Sequence, residues 1–168
     1  MRRIVSKNNY TLGFFTNPER PNAIGCLKEA LTKALEDGRA CCVNDETREK
    51  LSVDAPCFSE LRPDVILAFG GDGTILHAAE PAYEYGAPIL GVNLGRVGFL
   101  SEIPPDGLND ALSRLDAGDY ELDARMLLAC SVNGDAQKLC LNEALLYKRS
   151  FSGVVDISME IDGIGAGC

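Results

Sequence analysis

The apolar residues in the first half of the chain form short uninterrupted runs, and the segments between these runs show helical spacing. The runs lie at residues 11–16, 40–43, 65–69 and 88–92. None of them alternates apolar and polar side chains, and such runs are typical of strands that are buried on both faces of a parallel sheet. The pattern therefore predicts four buried strands.

Helices are predicted in the intervals between these strands. Apolar side chains recur at helical spacing over residues 24–35, just before Gly38, and again over residues 74–85. Pro81 predicts a kink or a break in the second of these helices, because proline cannot donate the helical hydrogen bond. A short helix also fits residues 46–51. The order of the elements predicts a doubly wound α/β sheet.

The pattern changes after Pro104-Pro105. A short amphipathic helix is predicted over residues 108–115, and strands without intervening helices follow at 120–125, 126–132, 138–147 and 154–161. Asn133-Gly134 lies between two apolar runs and predicts a β-hairpin. We predict a mostly parallel, doubly wound α/β domain over residues 1–104. A partial, antiparallel all-β domain is predicted over residues 105–168.

The predicted β domain is incomplete as it stands. About four strands with apolar faces need more strands or another layer to cover them. Residues 162–168 follow, and they show neither helical nor strand character. The sequence therefore predicts a shortened chain with an exposed sheet edge. Such an edge favours self-association, so a homo-oligomer, either a dimer or a tetramer, is expected.

Composition and charge exclude several functional classes. The chain has 168 residues, a net charge of −9 and a hydrophobic fraction of 46%. An acidic chain lacks the basic field that nucleic-acid binding needs, and no apolar run reaches the roughly 20 residues of a membrane span. We therefore expect no nucleic acid, no membrane and a cytoplasmic location. The seven cysteines include no C-x-x-C pair, so reduced, mostly buried thiols are expected.

Candidate chemistry is concentrated where the third apolar run ends, in Gly70-Gly71-Asp72-Gly73-Thr74. Glycines let a ligand approach the backbone closely, and α/β sheets bind ligands at the carboxyl ends of their strands. The turn therefore predicts a phosphate site that contains a carboxylate. The alternative is a structural turn in which Asp72 accepts hydrogen bonds from backbone N–H groups of its own turn.

Two further segments complete a recognisable pattern. Residues 91–100 read Gly-Val-Asn-Leu-Gly-Arg-Val-Gly-Phe-Leu, and Leu-Asn-Glu-Ala follows at 141–144. Together with the turn at 70–74, in this order and spacing, these segments resemble the NAD kinase family. The resemblance covers roughly residues 10–163. The first turn alone is shared with diacylglycerol and sphingosine kinases. A lipid kinase is thus an alternative, although the sequence has no basic or amphipathic membrane face.

The resemblance implies an enzyme that transfers a phosphoryl group from ATP to the 2′-hydroxyl of NAD to make NADP. Magnesium would accompany ATP and neutralise its phosphates, with no side chain implied as a direct metal ligand. By position, Asp72 would be the general base that takes the proton of the ribose hydroxyl. The residues implied in substrate and phosphate binding are Gly71, Gly73, Thr74, Phe99, Asn142 and Glu143.

Several of these residues have a second interpretation. Phe99 would contact the adenine end of the substrate, but without the family it reads as an ordinary core residue. Asn142 and Glu143 would hydrogen-bond the nucleoside, or they are solvent-facing or bulged strand positions. His77, the only histidine, is either a phosphate contact or a residue that serves the helix surface or its packing. Arg96 either supplies charge near the ligand or is merely exposed.

The chain departs from the family pattern at its end. Family members continue past the equivalent of Gly163 with more β structure and a segment of the type T-P-T-G-S-T-A-Y, which completes the NAD pocket. This sequence has no such segment. We hypothesise a shortened product in which residues 164–168 lie outside the family pattern. A non-catalytic nucleotide-binding or assembly module is therefore a further alternative, and the donor is either ATP or polyphosphate.

Overall fold

Four parallel strands form the central sheet of the computed structural model, which describes residues 10–51, 54–95, 98–101, 103–149 and 152–166. The strands are β1 (Thr11–Thr16), β2 (Ala40–Val43), β3 (Val65–Gly70) and β4 (Ile89–Asn93). They lie in the order β2-β1-β3-β4. All four predicted strands are confirmed, each within one residue of its predicted ends.

Helices cover both faces of this sheet. The helices are α1 (Pro21–Glu36), α2 (Asp45–Leu51), α3 (Asp72–Tyr85) and α4 (Leu108–Ala117). Leu27 of α1 and Leu112 of α4 share one buried cluster with the sheet, and Ala78 of α3 belongs to a second cluster. The doubly wound α/β prediction is thereby confirmed.

The two clusters explain why the strand sequences are apolar without alternation. In β1, Phe14 belongs to the cluster under α1 and α4, while Phe15 belongs to the cluster under α3. In β3, Phe69 stacks on Phe14 with ring centroids 5.9 Å apart. Because successive strand side chains point to opposite faces, a sheet covered on both sides buries consecutive positions of a strand, and these positions are therefore mostly apolar.

Helix α3 begins at Asp72, two residues earlier than predicted, and continues through Pro81 to Tyr85. The predicted break at Pro81 is therefore wrong, and the alternative of a kink there stays a prediction. Ala78, Ala79 and Ala82 are buried on either side of the proline, and this packing outweighs one missing helical hydrogen bond. The helix ends at Gly86, whose left-handed conformation is the usual helix stop.

Beyond α4 the regular structure is sparser than predicted. Two hairpins are present, formed by β5 (Leu128–Cys130) with β6 (Lys138–Cys140) and by β7 (Glu160–Ile161) with β8 (Ile164–Gly165). No strand forms over residues 120–125, and the other predicted strands shrink to two or three residues. Strands need a covered apolar face, whereas apolar side chains here are exposed, as at Val154, which is 90% exposed.

The turns of both hairpins have positive φ at their two central residues. The predicted hairpin at Asn133-Gly134 is confirmed, with φ of 52° and 82° and a 2.9 Å hydrogen bond from the Asp135 N–H to the Val132 oxygen. Asp162-Gly163 does the same between β7 and β8, with φ of 51° and 80°. The expectation that residues 162–168 contain no strand is therefore wrong at β8, and the Asp-Gly pair was the signal for it.

A partly buried ion pair attaches α4 to the amino-terminal edge of the sheet. The Arg39 guanidinium, which precedes β2, donates to both carboxylate oxygens of Asp116 on α4, at 3.0 and 2.6 Å. The Tyr10 hydroxyl, just before β1, donates to the same carboxylate at 2.7 Å and accepts from Arg39 at 2.9 Å. Burial and the hydrogen bond to Asp116 raise the pKa of Tyr10. These three side chains tie α4 to β1 and β2.

The packing of α4 on the first sheet places residues 108–117 in the α/β layer structure. The predicted domain boundary after residue 104 remains a prediction. In the described part of the chain, no helix has the length and apolar character needed to cross a lipid bilayer.

Candidate active site

The two glycine turns of the sequence meet at the carboxyl edge of the sheet. Gly70 at the end of β3 pairs with Asn93 at the end of β4. The Leu94 N–H, in the second turn, donates to the Gly70 oxygen at 3.2 Å. Adjacent strands therefore deliver both turns to one place, where parallel α/β sheets generally bind ligands.

The glycines of the first turn are of two kinds. A Cβ on Gly70 would lie 2.7 Å from the Cβ of Thr74, so close packing requires glycine there. Gly71 and Gly73 have no atom within 4 Å of where a Cβ would be, and neither has a positive φ. The fold gives no reason for glycine at these two positions. The backbone beside Asp72 is thus open to a ligand.

The Asp72 carboxylate bridges the two turns. Its Oδ2 accepts the Phe99 N–H at 2.9 Å, and its Oδ1 accepts the N–H groups of Leu100 and Ser101 at 3.0 and 3.4 Å. The hydrogen bonds from Phe99 and Leu100 are the main causes that lower the pKa of Asp72. The alternative of a purely structural turn predicted that Asp72 would accept hydrogen bonds from the backbone of its own turn. The N–H groups that it accepts from belong to the second turn.

Glycines also allow the second turn to pack closely. A Cβ on Gly98 would overlap the Asp72 carboxylate, 2.8 Å from its Cγ, and a Cβ on Gly91 would lie 2.6 Å from Cδ1 of Ile75. The returning chain then pairs with β4 through the hydrogen bond from the Asn93 N–H to the Ile103 oxygen, at 2.7 Å. The second turn is therefore held by β4 on one side and by Asp72 on the other.

Phe99 is not a core residue. Its side chain is 96% exposed although its backbone N–H is bound to Asp72. Ser101, two residues further on, is buried, and its hydroxyl has no hydrogen-bond partner among the described residues. A large aromatic ring held in solvent beside a carboxylate is a suitable surface for stacking a base.

A cavity of about 650 Å³ lies at the carboxyl ends of β1 and β2, beside α3. His77 lines it together with Glu80 and Glu84, which follow it on α3. Further carboxylates come from Glu19, Asp45 and Glu46. Such a cavity repels bare polyphosphate, so any phosphate in it would need cations to neutralise its charge. Clusters of three or more metal-binding side chains do not occur among the residues that the structure describes.

Asn142 and Glu143 follow β6, a strand that lies beside α3. Both are exposed, as the solvent-facing alternative expected, and both lie outside any strand, so they are not bulged strand positions. Within the described ranges, no hydrogen bond or ion pair joins them to the two turns. Arg96 lies outside the described residues. The structure thus brings together Asp72, Phe99 and the first-turn glycines, and it leaves the Asn-Glu pair separate.

The part that Gly98, Leu100 and Ser101 play is visible only in the structure. Backbone N–H groups are present at every residue except proline, so their role as partners of Asp72 leaves no side-chain signal. The glycine spacing of residues 91–100 was the available sign that two chain segments approach closely there.

The fold and site together define an α/β protein with two linked glycine turns at the carboxyl edge of a parallel sheet. Comparison with known proteins identifies the family. The family model described as "ATP-NAD kinase N-terminal domain" matches residues 3–120. The chain belongs to the NAD kinase family, as its motifs predicted.

Relatives and solved structures give the extent of the similarity. An NAD kinase of Acidovorax ebreus is 41% identical over 105 residues, which are 60% of this chain and 35% of that protein. One of Gemmatimonas aurantiaca is 37% identical over 123 residues, or 70% of this chain and 40% of the relative. The crystal structure of yeast NADH kinase complexed with NADH matches 78% of this chain and 46% of its own, with a TM-score of 0.58 and 17% identity. The chain thus spans about a third of the length of the first of these relatives.

Proposed function

We propose that the protein transfers the terminal phosphoryl group of ATP to the 2′-hydroxyl of NAD and so forms NADP. Family membership supports this reaction. The observation that carries it is the pair of open glycines, Gly71 and Gly73, on either side of the Asp72 carboxylate. The fold needs neither glycine, whereas a phosphate that must approach the backbone needs both.

The site residues act on the substrates by position. Asp72 accepts the hydrogen of the ribose hydroxyl, and the N-terminal turn of α3, with Thr74, faces the transferred phosphoryl group. Phe99 stacks on the adenine end, and Asn142 and Glu143 hydrogen-bond the nucleoside. His77 contacts a phosphate that extends toward the cavity beside α3. Phosphoryl transfer depends mainly on positioning and electrostatic stabilisation, and these residues supply both.

Magnesium enters with ATP in this proposal. Mg²⁺ usually keeps several waters and needs only one or two carboxylates besides the substrate phosphates, so single acidic side chains such as Glu80 or Asp45 suffice for it. The ion would neutralise the phosphates and allow them to approach an acidic surface. The protein's own residues orient the two substrates and hold the acceptor hydroxyl.

The direct test is to incubate the protein with NAD and Mg²⁺ and either ATP or polyphosphate, and to measure NADP with an NADP-specific dehydrogenase. NADP is expected with ATP. Calorimetry with NAD and with ATP accompanies the assay, because a non-catalytic module would bind a nucleotide without making product. Absence of NADP would contradict the proposed function, and nucleotide binding without product would favour the non-catalytic module.

Replacing Gly73 by alanine should stabilise the protein and impair its activity at once. Gly73 lies in α3 with open space around it, so alanine there raises the free energy of unfolding by about 0.5–1 kcal/mol. The same methyl group occupies the space through which a phosphate would approach, so NADP formation should fall about tenfold or more. Urea unfolding and the NADP assay measure the two effects.

The matched control is Gly25→Ala in α1, another exposed helical glycine with no atom within 4 Å of its Cβ position. It should give the same gain in stability and leave NADP formation unchanged. If the Gly73 variant keeps full activity, the open glycine is not part of the phosphate path.

We also propose a homo-oligomer in the cytoplasm. Large apolar side chains are exposed from residue 122 onward, among them Met126, Leu145 and Val154. The six described cysteines are free thiols, which suits a reducing compartment. Light scattering should therefore give a mass of at least twice 18.0 kDa, and a monodisperse monomer would contradict the assembly.

A further inference from the structure

Gly98 is the residue that allows the Asp72 carboxylate to reach the second turn. An ideal Cβ on Gly98 would overlap Oδ1 of the Asp72 carboxylate, and it would lie 2.8 Å from Cγ and 3.0 Å from Oδ2. The φ of Gly98 is not in the left-handed region, so the backbone conformation does not require glycine. The glycine is explained by this one contact, between a carboxylate and the backbone of the other turn.

The contact fixes the carboxylate in one orientation. A carboxylate has about four lone-pair sites. Oδ1 uses two of them for the N–H groups of Leu100 and Ser101, and Oδ2 uses one for the N–H of Phe99. One site on Oδ2 remains for a substrate hydroxyl. The same three hydrogen bonds fix the backbone of Phe99, whose ring is exposed.

We propose that Gly98 is a positioning residue for the phosphoryl acceptor, an inference that rests on the proposed function of the site. By leaving room for Asp72, Gly98 sets the direction of the one free lone pair on Oδ2 and, through the Phe99 N–H, the place of the aromatic ring. The acceptor that fits this arrangement is a nucleoside with a free ribose hydroxyl, which the carboxylate orients while the ring contacts the base.

The arrangement also assigns a limited chemical role to Asp72. Three N–H donors stabilise its charged form, so it is a weak base that orients the hydroxyl more than it removes the proton early. Little proton removal is needed in a loose phosphoryl-transfer transition state. Orientation is therefore the function that a displaced carboxylate would lose first.

The test measures the contact and the catalysis separately. In Gly98→Ala, backbone amide protons of residues 99–101 should exchange at least about tenfold faster, and NMR titration should show the pKa of Asp72 moving up toward its ordinary value. NADP formation should lose about tenfold or more in kcat, with a raised KM for NAD and an unchanged KM for ATP. Gly95→Ala, in the same turn but with open space around it, should alter neither the exchange nor the titration.

A double-mutant cycle keeps the test decisive if Gly98→Ala alone is unstable. Asp72→Ala removes the group that a Cβ would meet, so Gly98→Ala should cause no further increase in exchange in the Asp72→Ala background. Additive effects in the cycle, or an unchanged Asp72 titration in Gly98→Ala, would overturn the proposal. Exchange and titration need no substrate, so they give an answer even if the protein makes no NADP.

Discussion

Asp72→Asn should reduce NADP formation by about a hundredfold or more in kcat. The reason is that asparagine keeps the size of the side chain but has only one oxygen, so it cannot accept all three N–H groups and also take up the hydroxyl proton. Loss of orientation matters first, because a misplacement of about 1 Å in a reacting group can cost about 10²-fold, and a positioned acid–base group contributes about 10²–10⁴ to a rate. The measurement is a steady-state assay of NADP at saturating NAD, ATP and Mg²⁺.

The pH profile provides an independent check. The pKa of Asp72 lies below its ordinary value, so the carboxylate stays charged at any pH above about 4. Its hydrogen bonds are therefore present throughout the neutral range and are lost only as the pH falls through the lowered pKa. Wild-type activity should show no acidic limb from this group above about pH 5.

Asp72→Asn with activity within about threefold of the wild type would remove Asp72 from the catalytic role.

Arg39→Met should lower the free energy of unfolding by about 3 kcal/mol or more. It should have little effect on the candidate active site at the carboxyl edge of the sheet. The Arg39 side chain is only 7% exposed and forms a two-pronged pair with Asp116. Removing one partner leaves a partly buried carboxylate without its countercharge. Breaking a fully buried pair costs about 3–5 kcal/mol, and the 21% exposure of the Asp116 side chain places the expected loss at the lower end of that range. Urea unfolding followed by circular dichroism measures the loss.

The companion variant is Arg39→Met combined with Asp116→Leu. Apolar replacement of both partners removes the unpaired charge, so the double variant should recover much of the stability that the single variant lost. A single variant as stable as the wild type would show that the pair does not hold α4 on the sheet.

The central sheet was predictable because each of its strands carries its own evidence. The run at 65–69 is apolar at every position, the run at 11–16 is apolar between its two terminal threonines, and both faces of β1 and β3 are buried. The predicted break at Pro81 was wrong because the local sequence was not sufficient evidence there. Proline acts locally, but the buried alanines beside it respond to packing against the sheet, which a local pattern does not report.

The second half of the chain was less predictable because its apolar residues are not matched by a covering layer. Two apolar runs with an Asn-Gly pair between them correctly located the first hairpin, yet residues such as Val154 remain exposed and outside any strand. The length of a strand depends on its neighbours, and the sequence of the strand itself does not contain that information.

The candidate site also has a part that was predictable from the sequence and a part that was not. The glycine turn and its carboxylate were found from the sequence because glycine and aspartate are informative residue types at a strand end. The partners of Asp72 were missed because they are the backbone of residues 99–101. The two turns are brought together by the pairing of β3 with β4. This pairing depends on the whole sheet and cannot be read from the sequence of either turn.

The Arg39–Asp116 pair lies at the amino edge of the sheet, and the candidate active site lies at the carboxyl edge. The ion pair that stabilises the fold and the residues that bind substrate are therefore at opposite ends of the same strands. A six-residue strand is about 20 Å long, beyond the roughly 10 Å over which substitutions usually interact. Mutations at one end should therefore combine additively with mutations at the other. Selection for thermal stability can change residues at the amino edge without affecting the residues at the carboxyl edge, which can evolve independently.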